Sequence, residues 1–345
     1  MNKKIKLLLT TPTESPDFNK LWSASVPAMA EHYGFEIDLL KSQKERDVAE
    51  WNRLCKDYHG IITSWRSPQF DAELLEGNNS LEIIGHAAGS VADLVSDAVY
   101  ARGIKVVSAN DTMARSVAEW CMLTILLGIG KTLDYAAVNG LTSMRWDKCG
   151  TAGSVENAVI GIWGFGSITR NLIKYLKPMN PKKIMVCSNF TPEKELNEYG
   201  VEAASLEQVF AESDAIVLLA GLNCRNAGRV NAALLESIQN GAALINCGRA
   251  GLVNETTLID ELKRNRFRAF FDVYYVEPLP ESHPFNLLPN VFMTPHVGGV
   301  GNMQKFIPDV LENFNRFFTG KPLRGEITRE RAAAMTSHKI AVAGL

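Results

Sequence analysis

The sequence predicts an α/β protein built from two doubly wound parallel-sheet domains. Short apolar runs alternate with helical stretches along most of the 345 residues, which is the pattern of parallel sheets with helices on both faces. The alternation is completed once, and it starts again at an apolar run that leads into the glycine turn Gly164 to Gly166. A hydrophobic content of 46% and a charged content of 21% are typical of globular proteins.

The first alternation occupies the N-terminal third of the chain. Its apolar runs are short, as expected for strands buried on both faces of a sheet. Residues 112–129 then predict one long helix whose apolar width indicates burial between domains or subunits. The predicted strands are residues 5–10, 35–39, 60–64, 81–84 and 104–108, and the predicted helices are residues 20–33, 47–58 and 93–102.

The second alternation follows a polar connector, residues 141–157. The chain ends in residues 328–345, which are charged and then alanine-rich, and which predict either a docked helix or a loose tail. The predicted strands are residues 159–163, 183–187, 215–219, 242–246, 267–273 and 291–294, and the predicted helices are residues 167–177, 206–211, 232–238, 254–264 and 303–318.

Composition and charge indicate which binding partners and which cellular compartment to expect for this protein. The net charge of −2 gives no basic surplus for nucleic acid or an anionic membrane, so neither is predicted as a partner. The apolar stretch between Lys6 and Thr10 is too short for a signal peptide, and no run approaches the ~18 apolar residues of a spanning helix. The six cysteines are scattered, which predicts free thiols in a reducing cytoplasm. No metal site is predicted.

The turn Gly164-Phe165-Gly166 between a predicted strand and a predicted helix indicates a dinucleotide site. The first glycine allows the tight turn, and the second lets the backbone approach a pyrophosphate at the helix N-terminus. Thr169 stands where a third glycine usually packs the helix on the strand, so we expect the helix to be pushed slightly outward. The turn alone is equally compatible with an ordinary β-turn-α junction.

Three charged or titratable residues follow successive strands of the second alternation. Arg249, Glu277 and His296 come directly after the predicted strands 242–246, 267–273 and 291–294. Ligands of open parallel sheets bind outside the carboxyl ends of the strands, so these side chains predict a site. Taken singly, each is also compatible with an ordinary surface loop residue.

The spacing around these residues resembles the D-isomer-specific 2-hydroxyacid dehydrogenases, the family that contains phosphoglycerate, D-lactate and glyoxylate/hydroxypyruvate oxidoreductases. The segment NCGRAGLVNETTLIDELKRN is similar to the family's N-x-G-R-G-x-x-V-D-E-x-x-L. The segment FFDVYYVEPLPESHPFNLLPNVFMTPHVGG is similar to its D-V-x-x-x-E-P-L-P…H-P-L…P-N-V-x-x-T-P-H-x-G. RSVAEWCMLTIL and AAGSVADLV match its S-V-A-E helix and its substrate loop, and the resemblance covers roughly residues 55–325.

The resemblance implies a Rossmann cofactor domain, residues 113–297, inserted into a flavodoxin-like substrate domain, residues 1–112 and 298–345. It implies NAD or NADP as the cofactor, a small 2-keto or 2-hydroxy acid as the substrate, and a homodimer formed through the cofactor domains. Its catalytic triad falls on Arg249, Glu277 and His296, and its nicotinamide contact falls on Asp272. The other expected cofactor contacts are Gly164, Phe165, Gly166, Ser167, Ile168, Ser188, Asn189 and Cys247, and the expected substrate contacts are Ala88, Gly89, Ser90 and Arg66.

The chemistry of the three strand-end residues agrees with this resemblance. Reduction of a 2-keto acid needs a hydride, a proton for the new hydroxyl and a cation for the carboxylate or carbonyl. Arg249 offers a guanidinium fork, His296 can donate and accept the proton, and Glu277 can orient the imidazole. The nicotinamide supplies the hydride, and the protein supplies position and charge.

The sequence departs from the common pattern at three places. Before the Arg249 strand, Gly221, Asn223 and Asn226 replace the family's usual proline and threonine residues. The substrate loop reads Ala88-Gly89-Ser90 where Gly-x-Gly is commoner, which affects the predicted substrate pocket rather than the reaction class. Asn189 stands where NAD-dependent members carry an acid and NADP-dependent members an arginine. We therefore predict weak discrimination between the two cofactors, with only Lys182, Lys183 and Lys194 as candidate cations for a 2′-phosphate.

Two alternatives remain at this point. The same fold and triad occur in nicotinamide-sensing corepressors, which are interaction proteins, although no added partner segment is seen in this sequence. Formate dehydrogenase, of the same fold, is disfavoured because Glu277 stands where that branch has a glutamine.

Overall fold

The computed structural model describes residues 4–42, 44–137 and 152–336, with the backbone alone at 135–137. The described chain divides into two compact units. Unit 1 contains the residues up to Met113 together with those from Val300 onward, and unit 2 runs from Ala114 to Gly299.

Unit 1 is built on a five-stranded parallel sheet in the order β2-β1-β3-β4-β5, the flavodoxin-like order. Leu7, Leu8 and Leu9 of its first strand are all buried, because a central strand of such a sheet is covered on both faces. The strands are β1 (Ile5–Leu9), β2 (Phe35–Leu39), β3 (Gly60–Thr63), β4 (Ile83–His86) and β5 (Lys105–Ser108).

Helices cover both faces of this sheet and form two apolar cores. One helix lies directly against the backbone of β3 and β4, since a Cβ added at Gly60 would be 2.8 Å from the Phe314 ring and one at Gly85 would overlap the Val310 side chain. The helices are α1 (Phe18–Leu21), α2 (Ser25–Tyr33), α3 (Val48–Cys55), α4 (Asp97–Ala101), α12 (Phe306–Phe318) and α13 (Arg329–Ala334), and α5 (Asn110–Ile129) begins here.

Unit 2 is built on a seven-stranded sheet, parallel throughout the described residues, in the order β12-β11-β10-β9-β6-β7-β8. The order reverses between β6 and β9, which is the topological switch point of a Rossmann fold. The strands are β6 (Val159–Trp163), β7 (Lys183–Cys187), β8 (Glu202–Ala203), β9 (Ala215–Leu218), β10 (Ala243–Asn246), β11 (Arg268–Phe271) and β12 (Val291–Met293). The helices are the remainder of α5, α6 (Thr132–Ala137), α7 (Ser167–Leu176), α8 (Glu193–Glu198), α9 (Leu206–Glu212), α10 (Ala232–Ser237) and α11 (Glu255–Lys263).

The long helix α5 qualifies the prediction that no apolar run approaches the length of a membrane-spanning helix. It has 20 residues and is long and apolar enough, by length and composition, to cross a membrane. More than half of its most apolar stretch is buried inside the protein. Gly128 packs onto the sheet of unit 2, where an added Cβ would be 2.5 Å from Ala243. The helix is therefore at least partly a core element.

The predicted fold class is confirmed, two predicted helices need correction, and two elements were not predicted. The predicted helix 93–102 is only Asp97–Ala101, because the backbone of Leu94 and Ser96 hydrogen bonds to Phe70 instead. Helix α8 and strand β8 were not predicted. The predicted helix 303–318 begins at Phe306, after a 3₁₀ segment. Most of the predicted connector 141–157 and the end of the tail, residues 337–345, lie outside the described residues.

Candidate active site

The glycine turn after β6 has the geometry that a dinucleotide site needs. Gly164 has φ of 108°, and a Cβ there would be 2.7 Å from the backbone nitrogen of Ala220, so a side chain is excluded. A Cβ at Gly166 would meet nothing within 4 Å, which leaves open space beside the start of α7. Gly166 provides no side-chain cap, and the first turn of α7 contains no acidic residue. This helix N-terminus fits a pyrophosphate.

Thr169 is accommodated within the turn at the place of the third glycine. Its side chain is fully buried, and its Oγ1 donates a hydrogen bond of 2.8 Å to the carbonyl of Gly164. The hydroxyl therefore links the helix to the turn, in place of the close packing that a glycine would allow.

The end of β7 carries the residues predicted to bind the adenosine ribose. The Ser188 hydroxyl donates to Thr191 Oγ1 at 3.0 Å, and Asn189 is exposed. Lys183 is no longer a candidate cation for a 2′-phosphate. It lies at the opposite end of β7 from Ser188 and pairs with Glu202 at 2.9 Å. Lys182 precedes it at the same end.

The sequence reasoning missed a cation near the glycine turn. The Arg170 guanidinium lies 4.6 Å from the ring centroid of Phe165 and forms an ion pair of 2.7 Å with Glu195 of α8. It is partly exposed. Its position four residues after Gly166, one turn into a predicted helix, was the only available signal.

Three adjacent strands place the predicted catalytic residues on one edge of the sheet. The neighbours β10, β11 and β12 are parallel, so their carboxyl ends lie side by side. His296 Nδ1 donates to Glu277 Oε2 at 2.8 Å, and Glu277 Oε1 accepts the backbone N–H of Tyr274 at 3.0 Å. The imidazole is thereby oriented with Nε2 left for a ligand.

The loop that carries His296 is fixed by a buried carboxylate. His296 has φ of 52°, a left-handed conformation that is uncommon for residues other than glycine and recurs at functional sites. Asp272 is buried; its Oδ1 accepts the N–H of Val297 at 2.8 Å, and its Oδ2 accepts the N–H of Gly298 at 2.8 Å. Thr294 Oγ1 adds a third hydrogen bond at 2.6 Å. Asp272, predicted as a nicotinamide contact, thus organises the His296 loop.

Tyr274 is another residue that the sequence reasoning did not identify. Its hydroxyl donates to the carbonyl of Thr294 at 2.7 Å and lies 3.1 Å from the carbonyl oxygen of Phe271. It thereby joins the ends of β11 and β12 while its own N–H orients Glu277. Nothing in the sequence distinguishes this tyrosine from its neighbour Tyr275.

Arg249, which follows β10, has a side-chain N–H group without a hydrogen-bond partner among the described residues. Its Nη1 donates to the carbonyl of Gly248 at 2.7 Å, whereas its buried Nε has no hydrogen-bond partner among the described residues. Burial lowers the pKa of Arg249, and the charge of Glu277 opposes that shift. A half-buried guanidinium with a buried, unsatisfied Nε–H fits an anionic or carbonyl ligand.

Cys247, a predicted cofactor contact, has a side-chain partner in unit 2. Its Sγ lies 2.9 Å from Cys121 Sγ of α5. Burial raises the pKa of Cys247. Both are free thiols, so the side chain packs against the helix and only the backbone of Cys247 remains for a cofactor.

The predicted substrate loop follows β4 in unit 1. Ala88 and Gly89 are buried, and their N–H groups form no hydrogen bond with another described residue. The Ser90 hydroxyl donates to the carbonyl of Thr336 at 2.7 Å. Backbone N–H groups of buried residues rarely lack a partner, and the two unpaired groups here are consistent with an anionic ligand.

Arg66, the remaining predicted substrate contact, lies in the loop after β3. It is exposed and has φ of 66°, so it shares the left-handed conformation of His296. Among the residues that the structure describes, no group of three or more His, Cys, Asp or Glu side chains could hold a metal ion.

Comparison with known proteins gives the family. The model of the D-isomer specific 2-hydroxyacid dehydrogenase NAD-binding domain matches residues 123–298. Human glyoxylate reductase/hydroxypyruvate reductase is 25% identical over 309 residues, 87% of this chain and 93% of that protein. Synechocystis D-3-phosphoglycerate dehydrogenase is 25% identical over 301 residues, 84% of this chain and 53% of that protein. A phosphoglycerate oxidoreductase structure from Rhizobium etli has a TM-score of 0.80 at 25% identity, covering 95% of this chain and 99% of the other.

The resemblance seen in the sequence is thereby confirmed. The family model spans just over half of the 345 residues and contains the glycine turn and all three strand-end residues. The chain belongs to the D-isomer specific 2-hydroxyacid dehydrogenase family, and residues 123–298 are its NAD-binding domain.

Proposed function

We propose that the protein reduces a 2-keto acid to a D-2-hydroxy acid, and catalyses the reverse oxidation, with Arg249, Glu277 and His296 as its catalytic residues. The observation that carries this proposal is the 2.8 Å hydrogen bond between His296 Nδ1 and Glu277 Oε2, on a sheet edge that also holds the unsatisfied Nε of Arg249. A bound nicotinamide supplies or accepts the hydride.

Each residue has one role in this reaction. His296 donates the proton from Nε2 to the carbonyl oxygen during reduction and takes it back during oxidation. Glu277 holds the imidazole by Nδ1 and stabilises its protonated form. Arg249 binds the carbonyl and carboxylate oxygens with the N–H groups that the protein leaves unused. In unit 1, the amides of Ala88, Gly89 and Ser90 bind the carboxylate, with Arg66 as an additional cation.

The cofactor residues divide by their contacts. The turn Gly164 to Ser167 and the adjoining Ile168 hold the pyrophosphate against the N-terminus of α7. The backbone of Cys247 and the carboxylate of Asp272 lie at the ends of neighbouring strands, where we place the nicotinamide. Ser188 and Asn189 bind the adenosine ribose.

We further propose that NADPH is used alongside NADH. The exposed Asn189 carries no charge to repel a 2′-phosphate. Arg170, which pairs with Glu195, is a partly exposed cation beside Phe165 of the glycine turn. Asn189→Asp should weaken NADPH binding and leave NADH binding within a few fold, because only the phosphate is repelled. Fluorescence titration with each cofactor measures both constants. Wild-type NADH preference above ~10³-fold, about 4 kcal/mol, would contradict weak discrimination.

The direct test is turnover of a panel of 2-keto acids with NADH and NADPH. His296→Ala should lower kcat by ~10²–10⁴-fold, the usual contribution of a general acid, and leave the Kd of NADH unchanged. His32→Ala is the matched control, because His32 is an exposed histidine on α2 in unit 1. Retained turnover in His296→Ala would remove the histidine from the mechanism.

The same panel of 2-keto acids distinguishes an enzyme from an interaction protein. Tight nicotinamide binding without turnover of any 2-keto acid would favour the corepressor-like alternative. Formate belongs in the panel as well, since Glu277 predicts that it is not oxidised.

The free thiols at Cys55, Cys121, Cys187 and Cys247 are buried, and we propose a cytoplasmic location on that basis.

A further inference from the structure

The predicted substrate loop is attached to the C-terminal segment of the chain. Ser90 Oγ donates to the backbone carbonyl of Thr336 at 2.7 Å and accepts the N–H of Ala92 at 3.3 Å. A serine hydroxyl has one donor and two acceptor sites, so both bonds form together. Glycine, commoner at this position in the family, could make neither.

The segment that reaches Ser90, residues 326–336, is called the strap here. It is bound to the rest of unit 1 along its length. The N–H of Ile327 donates to the carbonyl of Val106 on β5 at 2.9 Å, and the Ile327 side chain is buried. Arg329 pairs with Asp97 of α4 through two N–H groups.

The second half of the strap is also anchored. Thr328 caps α13 by accepting the N–H of Arg331, which fixes where the helix begins. Ala332 is buried, and Met335 packs against the same apolar core. The carbonyl of Thr336 is thus presented by a segment with polar and apolar attachments, rather than by a free chain end.

Between its two fixed ends, the loop carries unpaired amides. At one end the N–H of Ala87 donates to the carbonyl of Thr63 at 2.7 Å. At the other end Ser90 is bound to the strap. Ala88 and Gly89 lie between them with N–H groups that have no partner among the described residues. A Cβ at Gly89 would be 3.1 Å from Met113 Sδ, so a larger residue would crowd the loop.

We propose that Ser90 is a positioning residue that fixes the Ala88 and Gly89 amides for the substrate carboxylate through its hydrogen bond to the strap. This inference rests on the proposed function, because it assigns the carboxylate of a 2-keto acid to these amides. The strap thereby gives the C-terminal segment a part in substrate binding, and Ser90, a departure from the family pattern, acquires a specific partner.

Three variants test the proposal in the full-length protein. Ser90→Ala removes both hydrogen bonds, Ser90→Thr retains the hydroxyl, and Arg329→Ala loosens the strap without touching the loop. Arg53→Ala is the matched control for the last, because Arg53 is an exposed arginine of α3 in the same unit. Each variant is compared with the wild type by steady-state kinetics, NADH titration and hydrogen exchange of the loop peptide.

Ser90→Ala should raise KM for the 2-keto acid by about 2- to 10-fold, the equivalent of one hydrogen bond of about 0.5–1.5 kcal/mol. The kcat and the Kd of NADH should stay within about 2-fold. Residues 87–92 should exchange faster in Ser90→Ala and in Arg329→Ala. Ser90→Thr, which retains the hydroxyl, should recover most of the KM and exchange rate lost in Ser90→Ala, and Arg53→Ala should behave like the wild type.

An unchanged KM in Ser90→Ala, or unchanged exchange of residues 87–92, would overturn the positioning role. If kcat falls as much as KM rises, and the Kd of NADH changes as well, Ser90→Ala destabilises the protein in general. That result would also overturn the positioning role. If the wild type reduces no 2-keto acid, the proposed function fails. The exchange experiment then still decides whether the strap holds the loop.

Discussion

At the residue scale, one buried carboxylate sets the conformation of the catalytic loop. Asp272 accepts two backbone N–H groups and one hydroxyl from Thr294, Val297 and Gly298. The intervening residue, His296, is thereby held at a φ of 52°. The left-handed conformation costs about 1–2 kcal/mol for an L-residue, so it persists because the surrounding hydrogen bonds impose it.

Asp272→Asn tests this account. An amide has one acceptor oxygen, so its NH₂ group must face at least one of the donors that Asp272 now satisfies. We expect a loss of about 1–3 kcal/mol in the free energy of unfolding and a fall in kcat, because the His296 loop relaxes. Urea unfolding and steady-state kinetics measure these effects. A variant with wild-type stability would show that the loop does not depend on the carboxylate. A selective rise in the Kd of NADH would instead support the predicted nicotinamide contact.

A second residue-scale prediction concerns the buried histidine before the substrate loop. His86 bonds Thr63 Oγ1 at 2.9 Å, and burial lowers its pKa from 6.5 to about 4. The histidine is therefore neutral in the folded protein, while the unfolded chain binds a proton below pH 6.5. Protonation of His86 in the unfolded chain therefore lowers the free energy of unfolding as the pH falls from 6.5 toward 4, and it has no effect well above pH 6.5.

The expected loss from this site is about 2–3 kcal/mol by pH 4.5. His86→Gln cannot be protonated and should lack this part of the pH dependence, although it is less stable at pH 7 if its packing is imperfect. Urea unfolding of both proteins at pH 7.0, 5.5 and 4.5 gives the two slopes. Parallel slopes would mean that His86 takes up no extra proton on unfolding.

At the element scale, Arg266 joins two helices of unit 2. Its guanidinium donates to the carbonyls of Ile238 and Leu235 at the end of α10, at 2.7 and 3.1 Å. It also pairs at 2.9 Å with Glu261 of α11, a carboxylate that is only 4% exposed. Arg264 pairs with the same carboxylate at 2.8 Å but is 58% exposed.

Arg266→Ala should lower the free energy of unfolding by about 2–4 kcal/mol, because it leaves a buried charge partly unpaired and the α10 carbonyls without a donor. Arg264→Ala, the matched control, should cost less than about 1 kcal/mol, as exposed ion pairs do. The double variant with Glu261→Gln should recover part of the loss, which a double-mutant cycle in urea quantifies. Equal effects of the two arginine variants would contradict this assignment.

The elements show what sequence patterns predict and where they fail. Buried strands such as β6 and β10 were predicted within a residue or two, because four or five consecutive apolar residues have few other uses in a soluble protein. The helix predicted at 93–102 was wrong over its first half, since the pairing of Leu94 and Ser96 with Phe70 is a tertiary contact. Strand β8 is two exposed residues and has no apolar signal.

The candidate site likewise has features that the sequence predicted and features that it did not. The placement of Arg249, Glu277 and His296 on one edge was predicted because each follows the carboxyl end of a strand in a predicted parallel sheet. The loop-organising bonds of Asp272 and Tyr274, and the bond from Ser90 to the strap, depend on side-chain geometry that spacing does not encode. The strap bond joins residues 246 positions apart, which no local pattern reveals.

At the scale of the whole molecule, the exposed face of α5 bears on the predicted homodimer. Leu123 is 53% exposed and Leu126 is 39% exposed, and both lie on the side of the helix opposite Gly128, which packs on the sheet. Exposed leucines on one helix face are typical of an interaction surface. The family resemblance implies a dimer through this unit, and we expect these two leucines to contribute to its interface.

Replacing both leucines by glutamate tests that face. Burial of each leucine contributes about 1.5–3 kcal/mol, and a buried unpaired carboxylate opposes association further, so the double variant should raise the dimer dissociation constant by at least about 10²-fold. Light scattering at micromolar concentration should give a dimer for the wild type and a monomer for the variant. Leu287→Glu is the control, because Leu287 is 85% exposed on another part of unit 2 and should leave the dimer intact. A monomeric wild type would refute the dimer, and a dimeric double variant would place the interface away from α5.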